Sequence, residues 1–237
     1  MNLLITLCAR GGSKGIPGKN IKFLNGQPLI GYSIDIAKKF GGEHNADITL
    51  STDDPRIKEV AGEFGLTTSY NRPEQLSTDT VGKIETIRHI LLYEENSRNK
   101  RYDYILDLDV TSPLRTCEDL RMAFELLKKS LTALNLFSVN HAARNPYFNM
   151  VEQKDNGFYG LVKTGSFLTR QSAPQVYDLN ASFYFYSRDF YIQNITTAIT
   201  ERSLIYLMPH ICFDLDHIID FEFMEYLLLT DKLGFKL

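Results

Sequence analysis

The sequence predicts an α/β fold with a mostly parallel sheet and helices on both faces. Short apolar runs alternate with longer segments of helical periodicity up to about residue 139, the rhythm of strand–helix–strand units. Hydrophobic residues make up 43% of the 237 residues and charged residues 23%, which is ordinary globular composition. With no repeat or linker-like tract in the sequence, we treat residues 1–237 as one domain.

The individual elements follow from local signals. Asp54-Pro55 is typical of a helix start, and Asp79 or Thr80 is expected to cap the helix that follows it. The predicted strands are 3–8, 48–51, 67–70, 104–110 and 133–139, and the predicted helices are 28–40, 54–64, 80–95 and 117–129. Ligands bind beyond the carboxyl ends of parallel strands. The chemistry is therefore expected in the loops after Cys8, Ser51, Val110 and Phe185.

The rhythm breaks at His141. From there to about Asn180 the chain carries Asn-Pro, Asp-Asn-Gly and Ala-Pro turn signals with short alternating segments near 148–152 and 158–162. We interpret 141–180 as a hairpin-like insertion and not as a separate domain. The sheet is expected to resume at 182–187 and 204–207, and a final helix at about 219–232.

Composition argues against several function classes. Lys and Arg number 26 against 29 Asp and Glu, a net charge of -3 that gives no electrostatic footprint for nucleic acid. No apolar run approaches the roughly 18 residues of a membrane span, and the run at 3–9 is too short for a secretory signal. Three widely spaced cysteines without a CxxC motif indicate free thiols in a reducing compartment. We expect a cytoplasmic protein with neither nucleic acid nor membrane as partner.

A basic, glycine-rich loop with the sequence ARGGSKGIPGKN directly follows the first strand. Small residues let backbone amides approach an anion, and nearby cations compensate its charge, so the loop suits a polyphosphate. It is not a Walker A motif, because Asn20 stands where Ser or Thr should follow Lys19, and it lacks GxGxxG. A flexible loop with solvated charges remains the alternative. The candidate residues are Ala9, Arg10, Gly11, Gly12, Ser13, Lys14, Lys19 and Asn20.

Two D-x-D pairs, Asp107 with Asp109 and Asp214 with Asp216, are candidates for a divalent cation. Each pair is predicted to lie on a strand, where alternate side chains share one face, and Mg²⁺ takes one or two carboxylates together with phosphate oxygens and water. The pattern alone does not choose between the pairs, and aspartates facing solvent at strand ends are the alternative for each.

Further polar residues lie between these motifs. Helix capping explains the Ser, Thr and Asp of residues 77–80 but not Arg72 or Lys83. The turn 111–115, TSPLR, is explained equally well by turn chemistry and by a ligand role. The five histidines have no metal-ligand spacing, and no GxSxG elbow indicates a serine nucleophile.

Taken together, the motifs ARGGSKGIPGKN, RPEQLSTDT, TSPLR and FDLD resemble the CMP-sialic acid synthetases, CTP-dependent nonulosonate cytidylyltransferases. The likeness runs from about Leu3 to Leu228. It implies a Rossmann-like domain with a small inserted dimerisation element, matching 141–180, and a homodimer. It also implies CTP and an acidic nine-carbon sugar as partners, joined as a CMP-sugar with release of pyrophosphate.

The resemblance also implies residue roles. Arg10 and the amides after it resemble the triphosphate cradle, Lys19 the lysine at the reacting phosphates, and Asn20 and Arg72 nucleotide contacts. Asp214 and Asp216 match the family's metal-binding aspartates, which implies a Mg²⁺ cofactor. On this basis Arg10, Lys19 and Asp214 are the catalytic candidates, and Lys83 joins the nucleotide set.

Two departures from the family pattern bear on which sugar acid the protein uses. Asp109-Val110 stands where sialic acid synthetases have Gln-Pro, and Asp178-Leu179 precedes Asn180 where they have Arg-Pro. Carboxylates accept hydrogen bonds where Gln and Arg donate them. The set resembles the bacterial CMP-N,N'-diacetyllegionaminic acid synthases. The alternative sugars are N-acetylneuraminate and 3-deoxy-octulosonate. The alternative functions are an ATP-dependent phosphotransferase and a non-catalytic nucleotide-binding protein. The implied sugar-site residues are Asp109, Arg170, Gln171 and Asn180.

Overall fold

The computed structural model describes residues 1–12 and 15–237. The strands are β1 (Leu3–Cys8), β2 (Phe23–Leu24), β3 (Gln27–Pro28), β4 (Asp47–Ser51), β5 (Tyr104–Leu108), β6 (Asn135–His141), β7 (Val151–Gln153), β8 (Tyr159–Leu161), β9 (Tyr177–Ser187) and β10 (Ser203–Leu207). The helices are α1 (Leu29–His44), α2 (Pro55–Glu63), α3 (Lys83–Arg98), α4 (Cys117–Lys129), α5 (Arg188–Ile192) and α6 (Ile218–Leu229).

Six strands form the central sheet in the order β10-β6-β9-β5-β1-β4. β1 pairs in parallel with β4 and β5, and β10 pairs in parallel with β6. The predicted mostly parallel sheet is therefore confirmed. β9 is antiparallel to both β5 and β6, which the sequence pattern does not predict. The chain leaves β6 into the insertion and returns beside it without a helical crossover, and such a return is antiparallel.

Helices cover both faces of the sheet, as predicted, and the residue alternation along β1 explains why. Leu3, Ile5 and Leu7 belong to the apolar core shared with α1, α4 and α6. Leu4 points the opposite way, into the core shared with α3 and α5. A strand buried on both faces carries apolar side chains on both, and these four have no exposed surface.

Local capping signals explain which helix predictions held. α4 has the predicted bounds because Thr116 and Asp119 form a reciprocal capping box at its start. Asp54 caps α2 through its Oδ1, which accepts the Arg56 N–H at 2.9 Å. The prediction of Asp79 or Thr80 as the cap of the next helix is wrong, since Gly82 precedes α3 there. The later start leaves residues 77–81 as a loop.

Two strand predictions are also wrong. Residues 67–70 form no strand; Thr68 Oγ1 instead accepts the Tyr70 N–H at 3.0 Å in a local turn. The 214–216 segment lies in the irregular connection between β10 and α6. Short alternating segments pack against a sheet only when tertiary contacts bring them to an edge, which their sequence does not encode.

The insertion contains the expected hairpin. β7 and β8 pair antiparallel, with Val151 opposite Leu161, close to the segments that the alternation predicts. Several of its apolar side chains face solvent, among them Phe158 at 75% and Leu168 at 93% exposure. In the described part of the chain, no helix combines the length and apolarity that a membrane crossing requires.

Candidate active site

A cavity of about 400 Å³ opens beyond the carboxyl ends of β1, β4 and β5. Three of the four loops expected to carry the chemistry, after Cys8, Ser51 and Val110, lie at this edge. The expectation for the loop after Phe185 is wrong, because β9 runs antiparallel and places its amino end here. The lining residues are Cys8, Arg10, Gly15, Lys19, Asn20, Arg72, Leu76, Thr78, Asp79, Val81, Lys83, Thr86, Asp109, Thr111 and Asp216.

The glycine-rich loop is folded back over the end of β1 by three hydrogen bonds. Ala9 N–H donates to the Ser51 carbonyl at 3.0 Å, and Gly11 N–H donates to Asp53 Oδ1 at 2.9 Å. Asn20 Nδ2 donates to the carbonyl oxygen of Arg10 at 2.8 Å. Asn20 therefore shapes the loop as well as lining the cavity. Gly12 lies in the same loop, and the predicted Ser13 and Lys14 fall outside the described residues.

The loop meets the carboxyl-terminal aspartates. Lys19 Nζ donates to the Leu215 carbonyl at 2.7 Å and lies 3.3 Å from Asp216 Oδ1. Gly15 approaches the same segment so closely that a Cβ placed on it would lie 2.3 Å from the Asp216 carbonyl oxygen. Two segments almost 200 residues apart thus meet at one cavity, and only glycine fits at their closest approach.

Asp214 and Asp216 point to different partners because they do not lie on a strand. Asp214 Oδ1 is 2.9 Å from the Thr111 hydroxyl, which is 2.8 Å from Asp109 Oδ1. Burial, the negative charge of Asp109 and that of Asp216 raise the pKa of Asp214 to about 6. Asp216 is 68% exposed at its side chain and pairs with Lys19. The two carboxylates gathered around one hydroxyl are therefore Asp109 and Asp214.

The other D-x-D pair does share a face, as predicted, and both of its carboxylates contact one lysine. Lys83 Nζ lies 2.7 Å from Asp107 Oδ2 and 2.6 Å from Asp109 Oδ2. Burial alone would raise the pKa of Asp109, but the charge and hydrogen bond of Lys83 hold it below its usual value. Burial likewise opposes the charged form of Lys83, yet Asp107 and Asp109 raise its pKa well above the ordinary range.

Two arginines also line the cavity. Arg72 is buried, and its Nε and Nη2 donate to Ser51 Oγ at 2.9 Å and to the Ser51 carbonyl at 2.7 Å. Within residues 1–12 and 15–237 it forms no ion pair, so its charge is available to a ligand. Arg10 Nη1 donates to Asp79 Oδ1 at 2.6 Å.

The sequence does not decide whether the TSPLR turn has a structural or a ligand-binding role, and in the structure different residues of the turn have different roles. Thr111 lines the cavity, whereas Arg115 is buried beneath it. Arg115 Nη1 donates to the carbonyls of Asp109 at 2.9 Å, Ser112 at 2.7 Å and Ser182 at 2.8 Å. Burial lowers the pKa of Arg115 to about 10. Arg115 thus fixes the loop that carries Asp109 and Thr111, a role with no local sequence signal.

The predicted sugar-site residues are not gathered within one chain. Asp109 lines the main cavity, but Arg170 and Gln171 line a separate cavity of about 490 Å³ in the insertion. There Arg170 Nη2 donates to the Ala142 carbonyl at 2.7 Å. Asn180 is buried, where its Oδ1 accepts the Ser138 hydroxyl at 2.6 Å.

The carboxylates at this edge fit magnesium by their chemistry. Asp109, Asp214 and Asp216 offer hard oxygen donors, and the Thr111 hydroxyl adds another. Outside positions 13 and 14, no group of three or more His, Cys, Asp or Glu side chains converges as a ready-made metal cage. Mg²⁺ is usually held by one or two carboxylates while phosphate oxygens and water complete its shell.

Comparison with known proteins places the chain in a family. Residues 4–229 match the cytidylyltransferase family. The chain is 38% identical to the post-translational flagellin modification protein B of Campylobacter coli, over 99% of this chain and 98% of that protein. It is 36% identical to a CMP-N,N'-diacetyllegionaminic acid synthase of Campylobacter jejuni, with the same coverage of both.

The fold is shared with solved structures. A CMP:2-keto-3-deoxy-manno-octonic acid synthetase complexed with CTP superposes with a TM-score of 0.69 at 16% identity, covering 98% of this chain and 100% of that one. The family match spans nearly the whole chain, and two relatives above 30% identity extend over their full length. The chain belongs to the cytidylyltransferase family.

Proposed function

We propose that the protein transfers CMP from CTP to a nonulosonic acid of the legionaminic type and releases pyrophosphate. The observation that carries the proposal is the convergence of Lys19 with Leu215 and Asp216 in one cavity, because it joins the anion-binding loop to the aspartate segment. A full-length relative bearing the name CMP-N,N'-diacetyllegionaminic acid synthase supports the choice of sugar.

The reaction is an in-line displacement at the α-phosphorus. The C2 hydroxyl oxygen of the sugar forms the new bond to phosphorus and loses its proton to solvent, while the bond from the α-phosphorus to the oxygen that bridges it to the β-phosphate breaks. Pyrophosphate leaves with the electron pair. Lys19, Arg10 and the loop amides, that of Gly12 among them, offset the charge that grows on the leaving group, with Lys14 added by resemblance. Arg72 serves the cytidine end of the nucleotide, where its charge is free to meet an oxygen.

Magnesium is the proposed cofactor, held by Asp214 and Asp216. When bound, it supplies Lewis-acid polarisation of a phosphoryl oxygen. The chain keeps both carboxylates in position: the Thr111 hydroxyl lies 2.9 Å from Asp214 Oδ1, and Lys19 Nζ lies 3.3 Å from Asp216 Oδ1. Asp109 on the other side of Thr111 faces the same space and is the sugar-site carboxylate of the proposal.

A homodimer completes the sugar site in this proposal. Arg170 and Gln171 lie in a cavity separate from Asp109 within one chain, so we assign them to a neighbouring subunit's active site. The solvent-facing Phe158 and Leu168 of the insertion favour a protein contact there, since large exposed apolar patches mark interaction surfaces. A cytoplasmic location, without nucleic acid or membrane as partner, accords with the composition and the net charge of -3.

A panel of acidic sugars with CTP and Mg²⁺ tests the proposal. We expect the highest kcat/KM for CMP-sugar formation with N,N'-diacetyllegionaminic acid, and lower values with N-acetylneuraminate and 3-deoxy-octulosonate. Asp214→Ala is expected to abolish turnover without unfolding the chain. CTP binding without turnover on any of these acids would favour a non-catalytic nucleotide binder, and phosphate release from ATP would favour a phosphotransferase.

A further inference from the structure

The ammonium of Lys83 occupies a position where two carboxylates would otherwise meet a cation. Its Nζ lies 2.7 Å from Asp107 Oδ2 and 2.6 Å from Asp109 Oδ2. The two aspartates are two residues apart at the end of β5, the spacing that lets a pair of carboxylates share one divalent cation. Lys83 therefore neutralises two carboxylates that could otherwise bind a metal ion.

The surroundings hold this lysine in place. Asp107 has no exposed surface, and its Oδ1 accepts the Thr6 hydroxyl at 2.8 Å. Lys83 is the first residue of α3 and packs 5.6 Å from the ring centroid of Tyr184. A buried carboxylate that loses its cation is strongly destabilising, so the ion pairs are expected to persist when ligands bind.

The charge of Lys83 also opposes the binding of a divalent cation between Asp107 and Asp109. A dication beside Asp109 would lie next to the Lys83 ammonium, and like charges at such short range repel strongly.

We propose that Lys83 takes the place of a divalent cation between Asp107 and Asp109, so that the cation held by this chain when CTP is bound lies on the Asp214 side. The inference rests on the proposed function, because it assumes that CTP and its cation bind in this cavity. It extends that function by identifying Lys83, and not a metal ion, as the group that neutralises Asp107 and Asp109.

Manganese located by anomalous diffraction tests this directly. Crystals of the full chain are soaked with CTP and Mn²⁺ without a sugar acid, so that no turnover occurs. The wild type is expected to show Mn²⁺ beside Asp214 and none between Asp107 and Asp109. Lys83→Met and Lys83→Gln are expected to gain a further Mn²⁺ between those two aspartates, and Gln can still donate a hydrogen bond if Met prevents folding.

Lys100→Met is the matched control. Lys100 also neutralises a carboxylate, Asp47, at 2.6 Å, with similar side-chain exposure, and it does not line the cavity. It is expected to leave the position between Asp107 and Asp109 without Mn²⁺. Mn²⁺ between Asp107 and Asp109 in the wild type, or none there in a folded, CTP-bound Lys83 variant, would overturn the inference alone. A cavity that takes up neither CTP nor Mn²⁺ would contradict the proposed function as well.

Discussion

Gly15→Ala perturbs the contact between the anion-binding loop and the aspartate segment with a single methyl group. The added Cβ would lie 2.3 Å from the Asp216 carbonyl oxygen, whereas ordinary contact begins near 3.4 Å. The loop must therefore retreat by about 1 Å, which carries the phosphate-binding groups with it. A misplacement of about 1 Å can cost about 100-fold in rate, equivalent to about 2.7 kcal/mol of transition-state stabilisation.

Pyrophosphate release from CTP with N,N'-diacetyllegionaminic acid measures the effect. We expect kcat/KM to fall about 100-fold, with little change in the melting temperature because the contact lies at the surface of the fold. Gly42→Ala is the control, since a Cβ on Gly42 in α1 meets nothing within 4 Å. If Gly15→Ala keeps kcat/KM within threefold of the wild type, the two segments do not need their close approach for catalysis, and the reasoning fails.

Three further predictions concern buried and titrating groups. Arg115→Met should lower the free energy of unfolding by about 2–4 kcal/mol in urea titrations, because it strands buried carbonyls; a loss below about 1 kcal/mol would show that these bonds are dispensable. His210 has its pKa raised: burial opposes its charge, but the hydrogen bonds to Asp119 Oδ2 and the Ile211 carbonyl and the Asp119 charge outweigh it. The stabilisation that charged His210 gives the fold is thus full below about pH 6.5 and is lost as the pH rises through the folded pKa. His210→Gln should therefore lower the free energy of unfolding more at pH 5.5 than at pH 8.5, and an equal loss at both would contradict this. Protons compete with metal for Asp214, whose pKa is about 6, so Mn²⁺ affinity without nucleotide should weaken as the pH falls from about 7 to 5; a constant affinity over that range would refute the role of this carboxylate.

Local signals explain what could be predicted from the sequence. The capping box of Thr116 and Asp119 sets the start of α4 without help from the rest of the chain. The strand period puts Asp107 and Asp109 on one face, and a loop rich in glycine and cations follows the first strand. These features depend on residues within a few positions of one another, which is the range over which sequence patterns are informative.

Long-range contacts explain what could not be predicted. The partner that Asp107 and Asp109 share is Lys83, brought to them by the packing of α3 against the sheet. The direction of β9 depends on how the insertion returns, and this removed the loop after Phe185 from the site. Arg115 contacts three carbonyls that the fold assembles, which no spacing along the chain encodes.

The position of CTP in a crystal structure of the complex with Mg²⁺ tests the central claim most directly. The account predicts the triphosphate between Lys19 and Asp214, with the cytidine end toward Arg72. A triphosphate bound elsewhere, such as the cavity of about 700 Å³ beside Tyr32 and Lys39, would contradict it.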